Sequence, residues 1–180
     1  MKVPRVLAGG NGLCHEGAVK VARCCMEVAV LYNAYGIVFE RLYLKGRKRG
    51  SKKQRLHLWK ARRVQSIVTD QAHRLGMRVS HVNAWNTSRL AFDGSGRVLR
   101  GRQSEKTGGS YSVCEFQNGK VYNCDLNATY NIGARYFIRT LLKSLPATER
   151  LAVEAKVPSC AKRSTCTLST LTSLYAVLAA

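Results

Sequence analysis

Two of the ten acidic residues stand out as groups that could do chemistry. Glu40 directly follows the apolar run Ile37-Val38-Phe39, which predicts a short buried strand with a carboxylate exposed at the rim of a sheet. Asp125 opens the sequence Asp-Leu-Asn-Ala-Thr-Tyr-Asn-Ile over residues 125–132, which predicts the beginning of a helix. These two residues are the first candidates for a functional site.

Both carboxylates also have a plain structural explanation. A carboxylate at the start of a helix can serve as the N-terminal cap, because its oxygens accept hydrogen bonds from the first backbone N–H groups. Glu40 could instead pair at the surface with Arg41 or another cation, a contact usually worth under about 1 kcal/mol. The residue types alone leave both explanations open.

The charge of the chain narrows the classes of partner. Thirty Lys and Arg face ten Asp and Glu, which gives a net charge of +20 and a pI near 10.2. Eleven of these bases lie between Arg41 and Thr69, where the sequence has no acid. Such a surface repels itself unless a polyanion neutralises it, so nucleic acid is the expected partner. A ribosome-like or merely soluble basic protein is the alternative.

Apolar periodicity predicts helices and strands around a turn-rich insert. In chain order we expect a helix over 17–32 ended by Gly36, a strand over 37–39, a basic loop over 45–55, an amphipathic helix over 56–75, a strand over 77–82, a turn-rich stretch over 83–109, a hairpin with a two-residue turn at Asn118-Gly119, and a helix over 125–145 ended by Pro146. On the first helix the expected buried residues are Val21, Met26 (or Cys25), Val28 and Leu31.

The order of these elements and motifs resembles the TnpB family of transposon-encoded, RNA-guided endonucleases and their relatives, the type V CRISPR effectors. Gly36-Ile37-Val38-Phe39-Glu40 is similar to the second RuvC motif of that family, and Asp125 with its following asparagines is similar to the third. The stretches 75–79 and 87–89 resemble the sequence that leads into the family's zinc ribbon. The resemblance covers roughly residues 17–142.

The resemblance implies an α/β fold, namely an incomplete RNase H-like (RuvC-type) domain with an inserted, degenerate zinc-ribbon-like hairpin. The domains are then an irregular N-terminal segment over 1–16, a partial nuclease domain over 17–145 with the insert at about 83–124, and a C-terminal tail over 146–180. The implied chemistry is phosphodiester hydrolysis by two Mg²⁺ ions roughly 4 Å apart. Glu40 and Asp125 would be two of the metal ligands.

The zinc ribbon of the family is not matched in this sequence. Tetrahedral structural zinc needs four Cys or His ligands, and the insert offers only Cys114 and Cys124, with His81 some distance before them. We therefore expect no structural zinc. We expect a metal-free hairpin held by aromatic residues, namely Phe92, Tyr111, Phe116 and Tyr122.

The first metal-binding aspartate of the family is not matched either. The only acids before Gly36 are Glu16 and Glu27, both in or beside the predicted first helix. Two carboxylates cannot hold the two-metal site, so we expect the chain alone to be inactive. A longer gene product or another subunit would supply the remaining ligand.

The expected nucleic-acid contacts are basic side chains, which position a backbone without reading its sequence. They are Lys45, Arg47, Lys48, Arg49, Lys52, Lys53, Arg55, Lys60, Arg62, Arg63 and Arg89. Trp85 lies on a predicted loop and is the candidate functional aromatic, whereas the helical spacing of Trp59 favours a core position. DNA and a guide RNA are the partners that the resemblance implies.

The seven cysteines include no Cys-x-x-Cys pair, their number is odd and two are adjacent, so reduced thiols in a cytoplasm are expected. The resemblance implies that this cytoplasm is prokaryotic. No signal peptide is evident, and the apolar stretch 168–180 is too short to span a membrane. Two other interpretations remain open. One is a non-catalytic nucleic-acid-binding accessory protein, and the other is a decayed gene product whose sheet, lacking its first strands, leaves an edge exposed.

Overall fold

The computed structural model describes the backbone of residues 6–41 and 52–180, and the side chains of residues 15–41 and 60–180. These residues form a mixed α/β structure with five α-helices and two small sheets. The chain divides into two compact units, Met1–Ser80 and His81–Ala180. The expected α/β class is confirmed at this level. Among the described helices, none is both long enough and apolar enough to cross a bilayer.

The first unit contains two long helices and a short strand. Helix α1 spans Val6–Leu31, strand β1 spans Gly36–Arg41 and helix α2 spans Lys52–Arg74. Strand β2, Arg78–Asn83, pairs with β1. Gly36 is required at this pairing, because a Cβ there would lie 2.9 Å from the carbonyl oxygen of Arg78.

The core of the first unit is built on small residues. Ala22, Met26, Val68 and Ala72 are buried between the helices, and Ile37, Phe39 and Val79 pack against them. The expected burial of Val21, Val28 and Leu31 is wrong, since all three are exposed. Alanines let two helix backbones approach closely, and the buried face of α1 therefore follows Ala18, Ala22 and Ala29 rather than the larger side chains.

The boundaries of the first two helices also differ from expectation. Helix α1 begins at Val6, within the segment 1–16 that was expected to be irregular, because each glycine in a helix costs only about 1 kcal/mol. It ends at Leu31 rather than at Gly36, and Asn33 then adopts a left-handed conformation with φ of 48°. Helix α2 already begins at Lys52, so residues 52–55 are helical and do not belong to a loop.

The second unit joins a small sheet to three helices. Strands β3 (Leu99–Arg100), β4 (Val113–Glu115) and β5 (Val121–Asn123) form an antiparallel sheet in that order. Helices α3 (Cys124–Ser144), α4 (Ala147–Lys156) and α5 (Leu168–Ala179) follow. Short 3₁₀ helices cover Gly101–Gln103, Glu105–Thr107 and Pro158–Cys160. One apolar cluster lies under the hairpin, around Phe116, and another lies among the helices, around Leu174.

The predicted hairpin at Asn118-Gly119 is confirmed, but its turn is longer than expected. Glu115 is paired with Val121, and the Phe116 N–H donates to the Lys120 carbonyl at 2.8 Å. The loop therefore has three residues, with Gly119 at φ of 83°. This is the arrangement of a type I turn followed by a left-handed glycine, which accommodates the twist of the strands as well as a two-residue turn does.

The segment after Pro146 is more regular than its sequence pattern indicates. It forms α4 and α5, which cover α3 with Val153, Leu171 and Leu174. Thr167 and Thr170 form a capping box at the start of α5. This segment therefore contributes part of the core of the second unit.

Candidate functional site

The N-terminal cap of α3 is Asn123, not Asp125. The Oδ1 atom of Asn123 accepts hydrogen bonds from the N–H groups of Asp125 at 2.9 Å and Leu126 at 3.0 Å. The capping explanation for the Asp125 carboxylate is therefore wrong. Asp125 lies in the first turn, where the helix dipole favours a negative charge.

The Asp125 side chain is exposed. Among the residues whose side chains the structure describes, none bonds to or pairs with its carboxylate. Both of its oxygens are thus open to solvent or to a ligand.

The two asparagines that follow Asp125 are buried and structural. Asn127 accepts from the Phe92 N–H and donates to the Leu90 carbonyl, each at 2.9 Å. Asn131 donates to the carbonyls of Thr87 at 2.9 Å and Leu90 at 2.8 Å. Buried amides need such partners. These bonds fasten the segment 87–92 to α3.

One turn further along α3, Arg135 continues this row. Its buried guanidinium donates to the backbone carbonyls of four residues, at distances between 2.6 and 3.1 Å; they are Asn83, Trp85, Ser164 and Cys166. Asn127, Asn131 and Arg135 are spaced four residues apart and so lie on one face of the helix. We call these three residues the polar row of α3.

The polar row was missed by the sequence analysis. Polar residues on a helix are usually assigned to its solvent face, so the sequence pattern did not single out these three residues. The one available signal was the strict four-residue spacing of Asn127, Asn131 and Arg135. The polar row thus bonds the segment around Thr87-Ser88-Arg89 to the helix that begins with the Asp125 motif.

Trp85 and Arg89 lie on the segment that the polar row holds. The Trp85 N–H donates to the Asn83 side chain at 2.7 Å, and its carbonyl accepts from Arg135. Its side chain is nevertheless 69% exposed. Arg89 is exposed as well. A fixed backbone with an exposed ring and an exposed guanidinium suits contact with a flat, anionic ligand.

Glu40 lies in the first unit, near the end of β1 as expected, but it is half-buried, so the expected exposure of this residue is wrong. Its backbone carbonyl accepts from the Gln65 side chain of α2 at 3.1 Å. On the same helix, Lys60 is half-buried and Arg62 and Arg63 are exposed. The first unit therefore brings Glu40 together with the basic helix, and Asp125 belongs to the other unit.

Several of the predicted nucleic-acid contacts lie outside the residues or side chains that the structure describes. Lys45, Arg47, Lys48 and Arg49 lie outside the described residues. Lys52, Lys53, Arg55 and Trp59 lie on α2, but their side chains are not among those described. The assignment of these residues to nucleic-acid binding, and of Trp59 to a core position, stays a prediction.

The described side chains include His, Cys, Asp and Glu residues that could bind a metal ion. Within residues 15–41 and 60–180, no three His, Cys, Asp or Glu side chains come together as a metal site. Two Mg²⁺ ions require more carboxylates than Glu40 and Asp125 provide. A single Mg²⁺ is commonly held by one or two carboxylates together with substrate phosphates, and the open carboxylate of Asp125 suits that role.

Cys114 and Cys124 belong to the core under the hairpin. Both are buried beside Ala91, Val98 and Phe116. Burial, followed by the neighbouring Cys124 thiol, raises the pKa of Cys114 to about 12. Its sulfur lies 3.5 Å from the Tyr122 carbonyl as a weak donor. The Cys114 thiol thus acts here as a small apolar group that stays protonated at neutral pH.

No family model and no curated protein matches this chain.

Proposed function

We propose that this chain carries the second and third metal-binding motifs of a RuvC-like, RNase H-like nuclease of the TnpB type, the C-terminal part of a transposon-associated, RNA-guided DNA endonuclease. Glu40 and Asp125 are its metal-binding carboxylates. The inserted hairpin corresponds to a degenerate zinc ribbon. The partners are DNA and a guide RNA, and Mg²⁺ is the cofactor.

The observation that carries the proposal is the state of Asp125. A carboxylate used for capping would need no further function, but Asn123 makes those bonds instead. Around Asp125 the other polar residues of the motif, Asn127 and Asn131, are buried and bonded. In a motif whose asparagines are structural, the open carboxylate of Asp125 is the group left available to bind a cation.

The charge of the chain supports the nucleic-acid partner. The net charge of +20 is divided over both units, and the described basic residues Arg62, Arg63 and Arg89 are exposed. Phosphate contacts of this kind release counterions, so binding should weaken steeply as salt is raised.

The proposal is tested by binding of the full chain to single-stranded DNA and to structured RNA across a salt series with Mg²⁺. We expect tight, strongly salt-dependent binding without cleavage, because two carboxylates do not complete the two-metal site. Mg²⁺-dependent cutting that disappears in Glu40→Ala would contradict the expected inactivity. Failure to bind at low salt would contradict the nucleic-acid function itself.

A second candidate is a non-catalytic nucleic-acid-binding accessory protein in which both carboxylates are vestigial. Binding of nucleic acid by basic side chains needs neither carboxylate, so the net charge of +20 supports this candidate as well. The two candidates differ in what Asp125→Asn does. In an accessory protein the substitution only removes a negative charge, so nucleic-acid binding should strengthen slightly and equally with and without Mg²⁺.

A further inference from the structure

Four aromatic rings pack together close to Asp125. The Phe92 centroid lies 5.5 Å from that of Phe116, 5.3 Å from that of Tyr122 and 4.9 Å from that of Tyr130. The Tyr122 and Tyr130 centroids are 6.5 Å apart. These rings come from the segment held by the polar row, from the hairpin and from α3.

Only one of these rings is fully in the core. Phe116 is 1% exposed, whereas Phe92 and Tyr122 are half-buried and Tyr130 is 43% exposed. Packing of the hairpin accounts for Phe116 and for the inner edges of the other rings. It does not account for the aromatic surface that faces solvent. We call Phe92, Tyr122, Tyr130 and the adjacent Lys120 the stacking surface.

The Lys120 side chain lies over the aromatic rings of this surface. Its ammonium lies 4.8 Å from the centroids of both Phe92 and Tyr122, and 5.8 Å from that of Phe116. Lys120 is itself exposed and stands beside the hairpin loop. A long, flexible side chain over ring faces is easily displaced, and once displaced it becomes a cation beside an open aromatic face.

Two acids of the hairpin region, Asp93 and Glu115, are hydrogen-bonded to other residues. The Asp93 carboxylate accepts from the Ser95 N–H and from the Asn118 side chain. Glu115 accepts from Lys106 and Ser104. Lys120 forms no hydrogen-bonded ion pair with either acid, although its ammonium lies close enough to Asp93 to attract that carboxylate electrostatically. The exposed ammonium can therefore turn to an anion without breaking a hydrogen bond.

We propose that the stacking surface binds a nucleobase of a single-stranded segment, with Lys120 moving from the ring faces to a backbone phosphate. This inference rests on the proposed nucleic-acid function and adds a base-binding site to it. Stacking on aromatic rings accepts every base, so the site would hold a strand without reading its sequence.

The test compares Tyr130→Leu with Tyr130→Phe in the full chain. Both substitutions remove the hydroxyl group, but only phenylalanine keeps a flat ring, and leucine preserves the apolar packing at the base of the side chain. The ligands are an oligodeoxythymidylate and a strand of the same length composed of abasic sites. Tyr175→Leu, at an exposed tyrosine of α5, is the matched control.

We expect Tyr130→Leu to weaken binding of the oligodeoxythymidylate roughly 5- to 150-fold and to leave binding of the abasic strand unchanged. Tyr130→Phe keeps the ring and should retain most of the affinity for oligodeoxythymidylate that Tyr130→Leu loses. Tyr175→Leu should bind both strands as the unmodified chain does. Lys120→Ala should weaken both strands equally and lower the salt slope by about one.

Two other outcomes would overturn the inference, and they differ in what else they affect. If the unmodified chain binds both strands and Tyr130→Leu binds oligodeoxythymidylate as well as Tyr130→Phe does, the proposal of base stacking at Tyr130 is wrong. The proposed nucleic-acid function would still stand. If the unmodified chain binds neither strand at low salt, the nucleic-acid function and the stacking surface are both wrong.

Discussion

The two units of this chain are stabilised in different ways. The first has a core of small apolar residues between two helices, whereas all the buried polar residues among the described side chains lie in the second. They are Thr87, Thr107, Asn127, Asn131, Arg135, Thr167 and Thr170. Apolar packing tolerates several arrangements, but a buried hydrogen-bonding group accepts few. The loops of the second unit are therefore fixed by hydrogen bonds to buried polar residues. Asp125, whose side chain is exposed, belongs to this unit.

The largest effect is expected for Arg135→Met in the second unit. The substitution keeps much of the side-chain volume but leaves the carbonyls of Asn83, Ser164 and other bonded residues without their donor. We expect a loss of about 3 kcal/mol or more in the free energy of unfolding. Urea denaturation followed by Trp85 fluorescence in a Trp59→Phe background would report this unit selectively.

The matched control for that experiment is Arg163→Met, at an exposed arginine in the same unit. Its effect should stay within about 0.5 kcal/mol. Equal losses for Arg135→Met and Arg163→Met would show that the polar row does not support the second unit.

A somewhat smaller effect is expected for Asn131→Leu, which is close to isosteric. It would remove one hydrogen-bond donor from each of the Thr87 and Leu90 carbonyls and the acceptor of the Leu168 N–H, although Leu90 keeps its bond from Asn127, and should cost about 2 kcal/mol. The same denaturation measurement applies, with Thr140→Ala on the exposed side of α3 as the control. A neutral Asn131→Leu would mean that the motif's asparagines are not structural.

The first unit is sensitive to volume rather than to polarity. Ala22 is fully buried, so Ala22→Leu should overpack the helix interface and cost about 1 to 3 kcal/mol. Val21→Leu, on the exposed neighbouring position, should cost almost nothing. Trp59 fluorescence in a Trp85→Phe background would measure both. If Val21→Leu lowered the free energy of unfolding more than Ala22→Leu, the assignment of the buried face of α1 would be wrong.

The smallest stability effect concerns the cap of α3. Asn123→Ala should lower the free energy of unfolding by about 1 kcal/mol, because the N–H groups of Asp125 and Leu126 lose their acceptor. Thermal denaturation of the full chain is sufficient to measure this. An Asn123→Asp variant should retain most of the stability, since aspartate is also a good capping residue.

Elements with a strong local signal could be predicted from the sequence. Helix α3 has a clear apolar period and ends before Pro146, and the Asn118-Gly119 hairpin has a left-handed glycine that few other residues could replace. The buried face of α1 could not be predicted, because alanines are buried there by the approach of a second helix. Helices α4 and α5 were missed for a similar reason: their apolar positions become meaningful only against α3.

The candidate site was predictable in part. The sequence identified Glu40, Asp125, Trp85 and Arg89, and their positions and exposure are now described. It could not show that Asn123 caps α3, because asparagine and aspartate are about equally good caps and stand two residues apart. The polar row donates to backbone carbonyls. Every residue type carries a backbone carbonyl, so the sequence does not indicate which residues are the acceptors.

The most direct test of the account is a comparison of Asp125→Asn with Asn123→Ala, measuring both stability and nucleic-acid binding with and without Mg²⁺ at constant ionic strength. Glu149→Gln, at an exposed carboxylate in the first turn of α4, is the control. We predict that Asp125→Asn costs no more stability than Glu149→Gln and removes the Mg²⁺-dependent part of binding, whereas Asn123→Ala costs more stability and retains that part of binding. An Asp125→Asn variant that is destabilised like Asn123→Ala, with an unchanged response to Mg²⁺, would contradict the account.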